Sequence, residues 1–329
     1  MKTKRLLSLV IVVAAVGVQL AQAADRSDGA ADRQNTFAMG RRPGAASVPE
    51  NVLAPAAARN FGTMDFPRAS DSAAFGINDN GVVVGGYGAD LESQYCNHGF
   101  VLHGNVFSIA SFPAASQTCV SGINKAGEMV GYYLDAGGNT HGFTRTGSTY
   151  TSVDFPGATV TTAGGINSSG SVVGAYRDTG GVYHGFLLAS QTYTTIDAPG
   201  ASGGLTEAAG INKAGEIVGV YVDSAGHYHG FALANGAYTT VDYPGAVDSD
   251  LLGLNDKGDM VGAYGDGTGP FAIYNHGFLV NQGQFTGIDV PFVGALVTWV
   301  NAINNSRVIV GFYIDTAGRY YGYTAKVGP

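Results

Sequence analysis

The stretch Gly165-Ile166-Asn167-Ser168-Ser169-Gly170-Ser171-Val172-Val173-Gly174 decides the fold, together with His184-Gly185-Phe186 ten residues further on. Both pieces recur along the chain as a unit written G-I-N-x-x-G-x-x-V-G-x-Y, then H-G-F, then D-x-P. The asparagine of the first motif marks six copies at a period of 43 to 49 residues: Asn78, Asn124, Asn167, Asn212, Asn255 and Asn304. A period of this size is typical of propeller blades or of paired-helix arrays.

The residue types within the repeat favour strands. Residues 216–221 and 238–242 are β-branched and aromatic, which helical repeats are not. Each unit divides into strand a before the Asn, strand b with V-G-x-Y, strand c with H-G-F and strand d before D-x-P. Asn-x-x-Gly between strands a and b and Asp-x-x-Gly between strands b and c are turn sequences. The sequence therefore predicts an all-β, six-bladed β-propeller of four-stranded antiparallel blades.

The two ends of the repeat region predict how the ring closes. The first D-x-P, at Asp65-Phe66-Pro67, precedes any G-I-N, and the last unit stops after its strand c at Tyr321-Gly322-Tyr323. One end therefore has a surplus strand d and the other end lacks one. We expect the N-terminal strand to complete the sixth blade, which leaves no open edge between first and last blades.

The N-terminus has the pattern of an export signal. A basic start, an apolar run from Leu6 to about Leu20 and small residues up to Ala23 predict a signal peptide over residues 1–23. An uncleaved anchor is the alternative, but the apolar run is shorter than the ~20 residues that a membrane span requires. Residues 24–59 show no apolar periodicity, which predicts a disordered linker. The propeller is expected over residues 60–329.

The net charge and the expected export limit the classes of partner that the protein can bind. Loss of Lys2, Lys4 and Arg5 with the signal changes the formal net charge from −8 to −11. A chain this acidic is not expected to bind nucleic acid or anionic membranes. We expect a secreted or periplasmic monomer with no membrane span after cleavage and no cofactor.

The G-I-N-x-x-G-x-V-V-G string followed by H-G-F resembles the bacterial extracellular HAF-type repeat over about residues 60–326. This sequence departs from that pattern by having Gly in place of Ala in the second motif, in all five copies that carry the His. The resemblance implies export and tandem repetition and implies no particular activity.

The recurring histidines invite a catalytic or metal-binding interpretation. One His per blade on strand c would stand far from the next around the ring, so we expect a structural role instead. Blades two to five have an Asp 13 residues after the His, and blade one has Ser111 there. Hairpin pairing of strands c and d predicts a hydrogen bond in such pairs: His141 with Asp154, His184 with Asp197, and His229 with Asp242. The Asp-x-x-Gly turns offer one carboxylate each, too few for a calcium site, so no metal site is predicted.

The mid-strand glycine of V-G-x-Y could suggest a phosphate-binding loop. It lies within a strand rather than between a strand and a helix, so close blade packing is the better explanation.

Loop lengths indicate a working face. The a–b and c–d spacings are constant, whereas the b–c loops and the d–a connections vary, and these share one face of a propeller. Loops on a rigid scaffold often carry binding residues. The candidate binding residues are Asp90, Glu92, Tyr95, Asp266 and Tyr274 on the b–c insertions, and Glu207 and Trp299 on the two long d–a connections. The alternative is that these loops vary without a function.

The two cysteines, Cys96 and Cys119, are expected on the same face at adjoining positions. In an oxidising compartment they predict a disulfide.

Three functions remain open at this stage. The first is a binding module for an extracellular glycan or protein. The second is a hydrolase or lyase acting on an extracellular polymer, and the third is a structural envelope protein. For the second, the carboxylate pair would come from Asp90, Glu92, Glu207, Asp248, Asp250 and Asp266. Regular repeats without an evident catalytic cluster favour binding over catalysis.

Overall fold

A computed structural model describes residues 58–88, 96–268 and 274–328 of the chain. The residues assigned to the signal peptide and almost all of the linker lie outside these ranges. The described residues form six four-stranded antiparallel sheets, each with its strands in sequence order except the last. The structure is the six-bladed β-propeller that the repeats predict.

The strands follow the predicted a-b-c-d order from the axis outwards. Blades one to three contain β2 (Asp71–Ile77), β3 (Val83–Gly88), β4 (His98–His103) and β5 (Val106–Ala110); β6 (Gln117–Ile123), β7 (Met129–Leu134), β8 (Thr140–Thr146) and β9 (Thr149–Val153); and β10 (Val160–Ile166), β11 (Val172–Arg177), β12 (Tyr183–Ala189) and β13 (Thr192–Ile196). Blades four and five contain β14 (Thr206–Ile211), β15 (Ile217–Val222), β16 (Tyr228–Ala234) and β17 (Ala237–Thr240); and β18 (Asp248–Leu254), β19 (Met260–Gly265), β20 (His276–Asn281) and β21 (Gln284–Ile288).

Blade six is completed from the other end of the chain. Its strands are β22 (Ala295–Ile303), β23 (Val308–Asp315), β24 (Tyr320–Lys326) and the N-terminal β1 (Arg59–Met64). β1 pairs with β24 in antiparallel register, with Gly62 opposite Thr324 and Met64 opposite Gly322. The predicted closure of the ring by the first strand is therefore confirmed.

A second closure runs around the axis at the end where strands a and b are joined, here called the a–b face. The side-chain amide of each repeat Asn donates a hydrogen bond to the backbone carbonyl of the Asn in the next blade, at 3.0 to 3.4 Å. The last of these bonds runs from Asn304 back to Asn78. In each turn the side-chain oxygen also accepts backbone N–H groups, as Asn167 does from Ser169 and Ser171. The sequence predicted only this second role.

Packing between blades explains the recurring glycine and phenylalanine. The Phe of each H-G-F motif is fully buried, and Tyr323 takes its place in blade six. Strand a bulges next to the Gly of V-G-x-Y, where the register shifts between Ala163 and Gly165 in blade three. A Cβ on Gly174 would overlap the Thr162 carbonyl oxygen and the Phe186 ring. Close packing is thus the physical reason for this glycine, as expected from the sequence.

No helix in the described part of the chain is both long and apolar enough to cross a membrane.

Candidate functional site

Each predicted His–Asp pair is hydrogen bonded in the structure. The histidine Nδ1 atom lies 2.8 to 2.9 Å from the strand-d carboxylate in the pairs His141–Asp154, His184–Asp197 and His229–Asp242. A second carboxylate, from the Asp-x-x-Gly turn, lies 3.4 to 3.5 Å from Nε2 in these blades. The His ring also stacks on the Tyr of V-G-x-Y, with centroids 5.1 Å apart. These groups join strands b, c and d within one blade.

The electrostatics of these pairs agree with a structural role. Hydrogen bonds from the Asn139 side chain and backbone lower the pKa of Asp135 to about 2. Burial alone would lower the pKa of His229, but its hydrogen bonds with Asp242 and Asp223 outweigh burial and raise it. Each His is therefore held between two carboxylates within its own blade, and the sets do not converge on a common site.

The candidate binding residues fall into three groups. Asp90, Glu92 and Tyr95 lie outside the described residues. Asp266 is exposed in its b–c loop, where it accepts hydrogen bonds from Thr268 and Asn275, and its Oδ2 lies 3.5 Å from the His276 ring. The third group is Glu207, Tyr274 and Trp299, which are 1%, 5% and 2% exposed.

The assignment of Glu207 and Trp299 to the d–a connections was wrong. Glu207 lies on β14 and Trp299 on β22, the innermost strands of blades four and six. The two extra residues in each long connection precede the strand, so the site residues keep their distance from the repeat Asn. Five residues before that Asn stand Ala73, Cys119, Thr162, Glu207, Asp250 and Trp299 in the six blades.

This shared position brings two acidic side chains together. Glu207 and Asp250 occupy it in the neighbouring blades four and five, and both are at most 1% exposed. Both oxygens of Glu207 and the Oδ2 atom of Asp250 have no hydrogen-bond partner. Burial, with the charge of Asp250 nearby, raises the pKa of Glu207 to about 8. Burial also raises the pKa of Asp250 to about 8.

Aromatic side chains adjoin the two acids. The Tyr274 hydroxyl donates a 2.7 Å hydrogen bond to Asp250 Oδ1. The Tyr274 ring meets Trp299 edge to face at 5.0 Å and Tyr228 at 5.9 Å. We call Glu207, Asp250, Tyr228, Tyr274 and Trp299 the acidic–aromatic cluster. It lies between blades four, five and six, in the half of strand a nearer the face with the b–c loops, here called the b–c face.

A third carboxylate stands beside the cluster. Asp248 Oδ1 accepts the Tyr228 backbone N–H at 2.8 Å and lies 3.5 Å from His227 Nδ1. Its charge, with those of Asp250 and Glu207, adds to burial in raising the pKa of Tyr228 to about 12. Three carboxyl groups therefore stand in or beside the cluster.

Another buried carboxylate of this chain shows what is missing in the cluster. Asp259, 1% exposed, accepts two hydrogen bonds from the Arg307 guanidinium at 2.6 and 3.0 Å and one each from Asn255 and Asn281. These bonds outweigh burial and lower its pKa. Buried carboxylates are normally satisfied in this way. Glu207 has no such partner.

The a–b face holds a different feature, a cavity of about 90 Å³ on the axis. The repeat Asn residues, the residue before each and the residue after each line it. The Asn side chains are already used in the hydrogen-bonded ring. In the described residues no group of three or more His, Cys, Asp or Glu side chains is arranged to hold a metal ion.

Cys96 and Cys119 form a disulfide. Cys96 lies at the end of a b–c loop and Cys119 on β6, so the bond joins blade one to the innermost strand of blade two.

The chain resembles solved β-propellers at low similarity. A variant of AofleA from Arthrobotrys oligospora has 11% identity and a TM-score of 0.49, over 85% of this chain and 92% of that one. The Aleuria aurantia fungal lectin, a six-bladed propeller that recognises fucose, has 10% identity and a TM-score of 0.49, over 79% and 95%. TolB from Acinetobacter baumannii has 13% identity and a TM-score of 0.46, over 78% and 55%. At these values no ligand or activity carries over to this chain.

No protein-family model and no curated protein matches the chain.

Proposed function

We propose that the protein is a binding propeller that takes a carbohydrate at the acidic–aromatic cluster, from the b–c face. The observation that carries this proposal is the set of three carboxyl oxygens, on Glu207 and Asp250, that are buried without a hydrogen-bond partner. An unpaired buried carboxyl destabilises a fold, so its presence is typical of a site that a ligand completes.

The chemistry of the cluster suits a sugar. Sugar hydroxyls donate hydrogen bonds to carboxyl oxygens, and the apolar face of a sugar ring packs on aromatic rings such as Tyr274 and Trp299. Binding sites commonly combine aromatic walls with a few convergent polar groups. Glu207, Asp250 and Trp299 lie on innermost strands of the propeller, which fixes their positions better than loops would.

Tyr274 is 5% exposed and is bonded to Asp250, so a ligand that reaches both carboxyl groups must displace its hydroxyl. Tyr274 precedes β20 and is not part of a strand, so this displacement leaves the sheet intact.

We further propose that the protein acts outside the cytoplasm as a secreted or periplasmic monomer. The basic and apolar pattern of residues 1–23 supports export. The Cys96–Cys119 disulfide also supports an oxidising compartment. The resemblance to bacterial extracellular HAF-type repeats also supports export.

The raised pKa values support a second candidate function. Paired carboxyl groups whose pKa values reach about 8 are typical of acid and base groups in enzymes. A glycoside hydrolase would use Glu207 and Asp250 on opposite sides of a glycosidic bond, at a separation of about 5 to 9.5 Å.

A glycan array tests the binding proposal. The wild-type protein is compared with the double variant E207Q/D250N, which keeps the side-chain shapes and removes both carboxyl groups. The control is E128Q/E216Q, which removes the same number of carboxyl groups from the a–b face. Both control residues accept a hydrogen bond from a repeat Asn, and the Gln oxygen preserves that acceptor.

We expect wild type and control to bind the same glycans and E207Q/D250N to lose them. Equal profiles for all three proteins would reject the cluster as the binding site. Incubation of each bound oligosaccharide with the wild-type protein, followed by chromatography, distinguishes the two functions: shorter products that disappear in E207Q/D250N would establish hydrolysis.

A further inference from the structure

Building on the proposed carbohydrate site, we infer that its ligand carries a free amino group, and that this ammonium group is bound by Glu207 and Asp250. The ligand class is therefore an amino sugar that is not N-acetylated. The inference rests on the grouped carboxyl groups, the number of unpaired oxygens and the aromatic rings of the cluster.

No lysine or arginine is found in contact with the described carboxyl groups of the cluster. Glu207 and Asp250 contribute carboxyl groups, Asp248 stands beside them, and the exposed His227 lies 3.5 Å from Asp248. On the a–b side of the ring, Asp259 has such a partner in Arg307. Buried carboxylates are stable when a cation pairs with them and costly when none does. A cationic ligand would supply what Arg307 supplies to Asp259.

The number of unpaired atoms matches an ammonium group. Once the ligand has displaced their protons, Glu207 Oε1, Glu207 Oε2 and Asp250 Oδ2 are three hydrogen-bond acceptors without a donor from the protein. A primary ammonium group has three N–H donors and no acceptor. A single hydroxyl has one donor, so one ammonium group supplies what would otherwise need three separate hydroxyl groups.

The aromatic side chains favour the same ligand. The Tyr274 ring contacts the rings of Tyr228 and Trp299, and its hydroxyl bonds to Asp250. Aromatic faces attract cations, most strongly at desolvated sites. A desolvated cation held between carboxylates and aromatic rings is a common arrangement for organic ammonium groups.

Proton linkage gives the inference a distinctive signature. Without ligand both carboxyl groups keep their protons up to about pH 8. An ammonium ligand must displace protons from this site, so its affinity falls as the pH is lowered from 7 to 5, by up to about tenfold per pH unit for each proton displaced. A neutral sugar can hydrogen bond to protonated carboxyl groups and shows no such fall.

Isothermal titration calorimetry with two matched oligosaccharides tests the inference. One is a β-1,4-linked tetramer of glucosamine, and the other is the same tetramer fully N-acetylated. Each is titrated into the folded wild-type protein, E207Q/D250N and E128Q/E216Q at pH 7 and pH 5 in 0.3 M salt. The high salt screens non-specific attraction to an acidic protein, and circular dichroism checks the fold of each variant.

We expect the glucosamine tetramer to bind wild type and E128Q/E216Q at least tenfold more tightly than the N-acetylated tetramer. We also expect this preference to disappear in E207Q/D250N and the affinity to fall at least tenfold from pH 7 to pH 5. If E207Q/D250N does not fold, Tyr274→Phe serves instead: it removes the donor to Asp250, and we expect tighter binding because the ligand no longer competes with the hydroxyl.

The failures of the two proposals are distinguishable. Equal or tighter binding of the N-acetylated tetramer, lost in E207Q/D250N, would overturn the amino-group inference and leave the carbohydrate site in place. Binding of either tetramer that is the same in all three proteins would overturn both, because the cluster would then not be the site.

Discussion

Glu207 and Asp250 are the side chains on which the functional proposal depends. Each is buried on an innermost strand, and together they leave three oxygens unpaired, whereas Asp259 in the same chain is fully bonded. The contrast shows that this fold can satisfy a buried carboxylate where it has an Arg to do so. We therefore interpret the unpaired acids as a binding feature.

The pH dependence of the free energy of unfolding should reveal the ionisation of Glu207 and Asp250. Their pKa values are raised to about 8 in the folded protein, whereas the unfolded chain loses the same protons near pH 4. Between these values the native state holds more protons, so its stability falls as the pH rises from about 5 to 8, by up to about 1.4 kcal/mol per pH unit for each group. Urea unfolding of wild type and E207Q/D250N at several pH values measures this.

The variant should lack that fall while keeping the acid-side behaviour of Asp135, whose lowered pKa contributes stability that is lost below about pH 4. Parallel pH profiles for the two proteins from pH 5 to 8 would contradict the assigned protonation.

Part of the acidic–aromatic cluster could be predicted from the sequence. Sequence reasoning selected Glu207, Tyr274 and Trp299 as binding residues and Asp250 as a possible catalytic partner, and the structure brings these four together. It did not select Tyr228, and it placed Glu207 and Trp299 on exposed loops because it read the longer Pro-to-Asn spacing as an insertion at the site. Counting backward from the repeat Asn would have aligned Glu207, Asp250 and Trp299, since strand a is anchored at its Asn end.

At the level of the strands, the bulge in strand a and the glycine in strand b form one packing unit. The bulge turns a strand-a carbonyl toward strand b, and the Phe of strand c packs against the same point. Glycine has only a hydrogen atom where other residues have a Cβ, so only glycine fits there. The same unit recurs in all six blades.

Replacement of this glycine should be costly. Gly174→Ala would place its methyl group against the Thr162 backbone oxygen and the Phe186 ring, and backbone cannot move aside as a flexible side chain can. We expect the free energy of unfolding to fall by about 3 kcal/mol, at the upper end for overpacked cores.

The matched control is Gly62→Ala on β1, where the nearest atom to the new Cβ is the Thr324 methyl group at 3.7 Å. Denaturant unfolding should show a change within about 0.5 kcal/mol for this variant. Similar losses for both variants would refute the packing explanation.

The strands and turns could be predicted from the sequence because the local sequence patterns agreed with one another. Turn sequences such as Asn167 to Gly170 marked the strand ends, and hairpin spacing predicted the His–Asp pairs. The ring of Asn hydrogen bonds could not be predicted from the sequence, because it joins residues 43 to 49 positions apart and depends on how blades pack. The repeat Asn both caps its own turn and bonds to the next blade, and the turn alone was enough to explain it in the sequence.

At the scale of the whole molecule, the ring is closed twice. β1 pairs with β24 at the outside of blade six, and Asn304 bonds to Asn78 at the axis. The outer closure buries Met64 and brings Phe61 to within 5.9 Å of the Tyr323 ring. Closure of this kind removes the exposed edges that an open array would have.

Two truncated chains test the outer closure. A chain that starts at residue 67 lacks β1, and we expect its free energy of unfolding to be lower by about 3 kcal/mol or more, because the burial of Met64 and Phe61 is lost. A chain that starts at residue 58 keeps β1 and should match a chain that starts at residue 24. Differential scanning calorimetry of both chains decides this, and equal stability of the two would show that β1 does not close the ring.

The most direct test of the functional account is a crystal structure of the protein with the glucosamine tetramer. We predict one sugar amino group within hydrogen-bond distance of the Glu207 and Asp250 carboxyl groups, and the Tyr274 hydroxyl displaced from Asp250. A tetramer bound elsewhere, for example at the His–Asp pairs or in the axial cavity of the a–b face, with Glu207 still unpaired, would contradict the account.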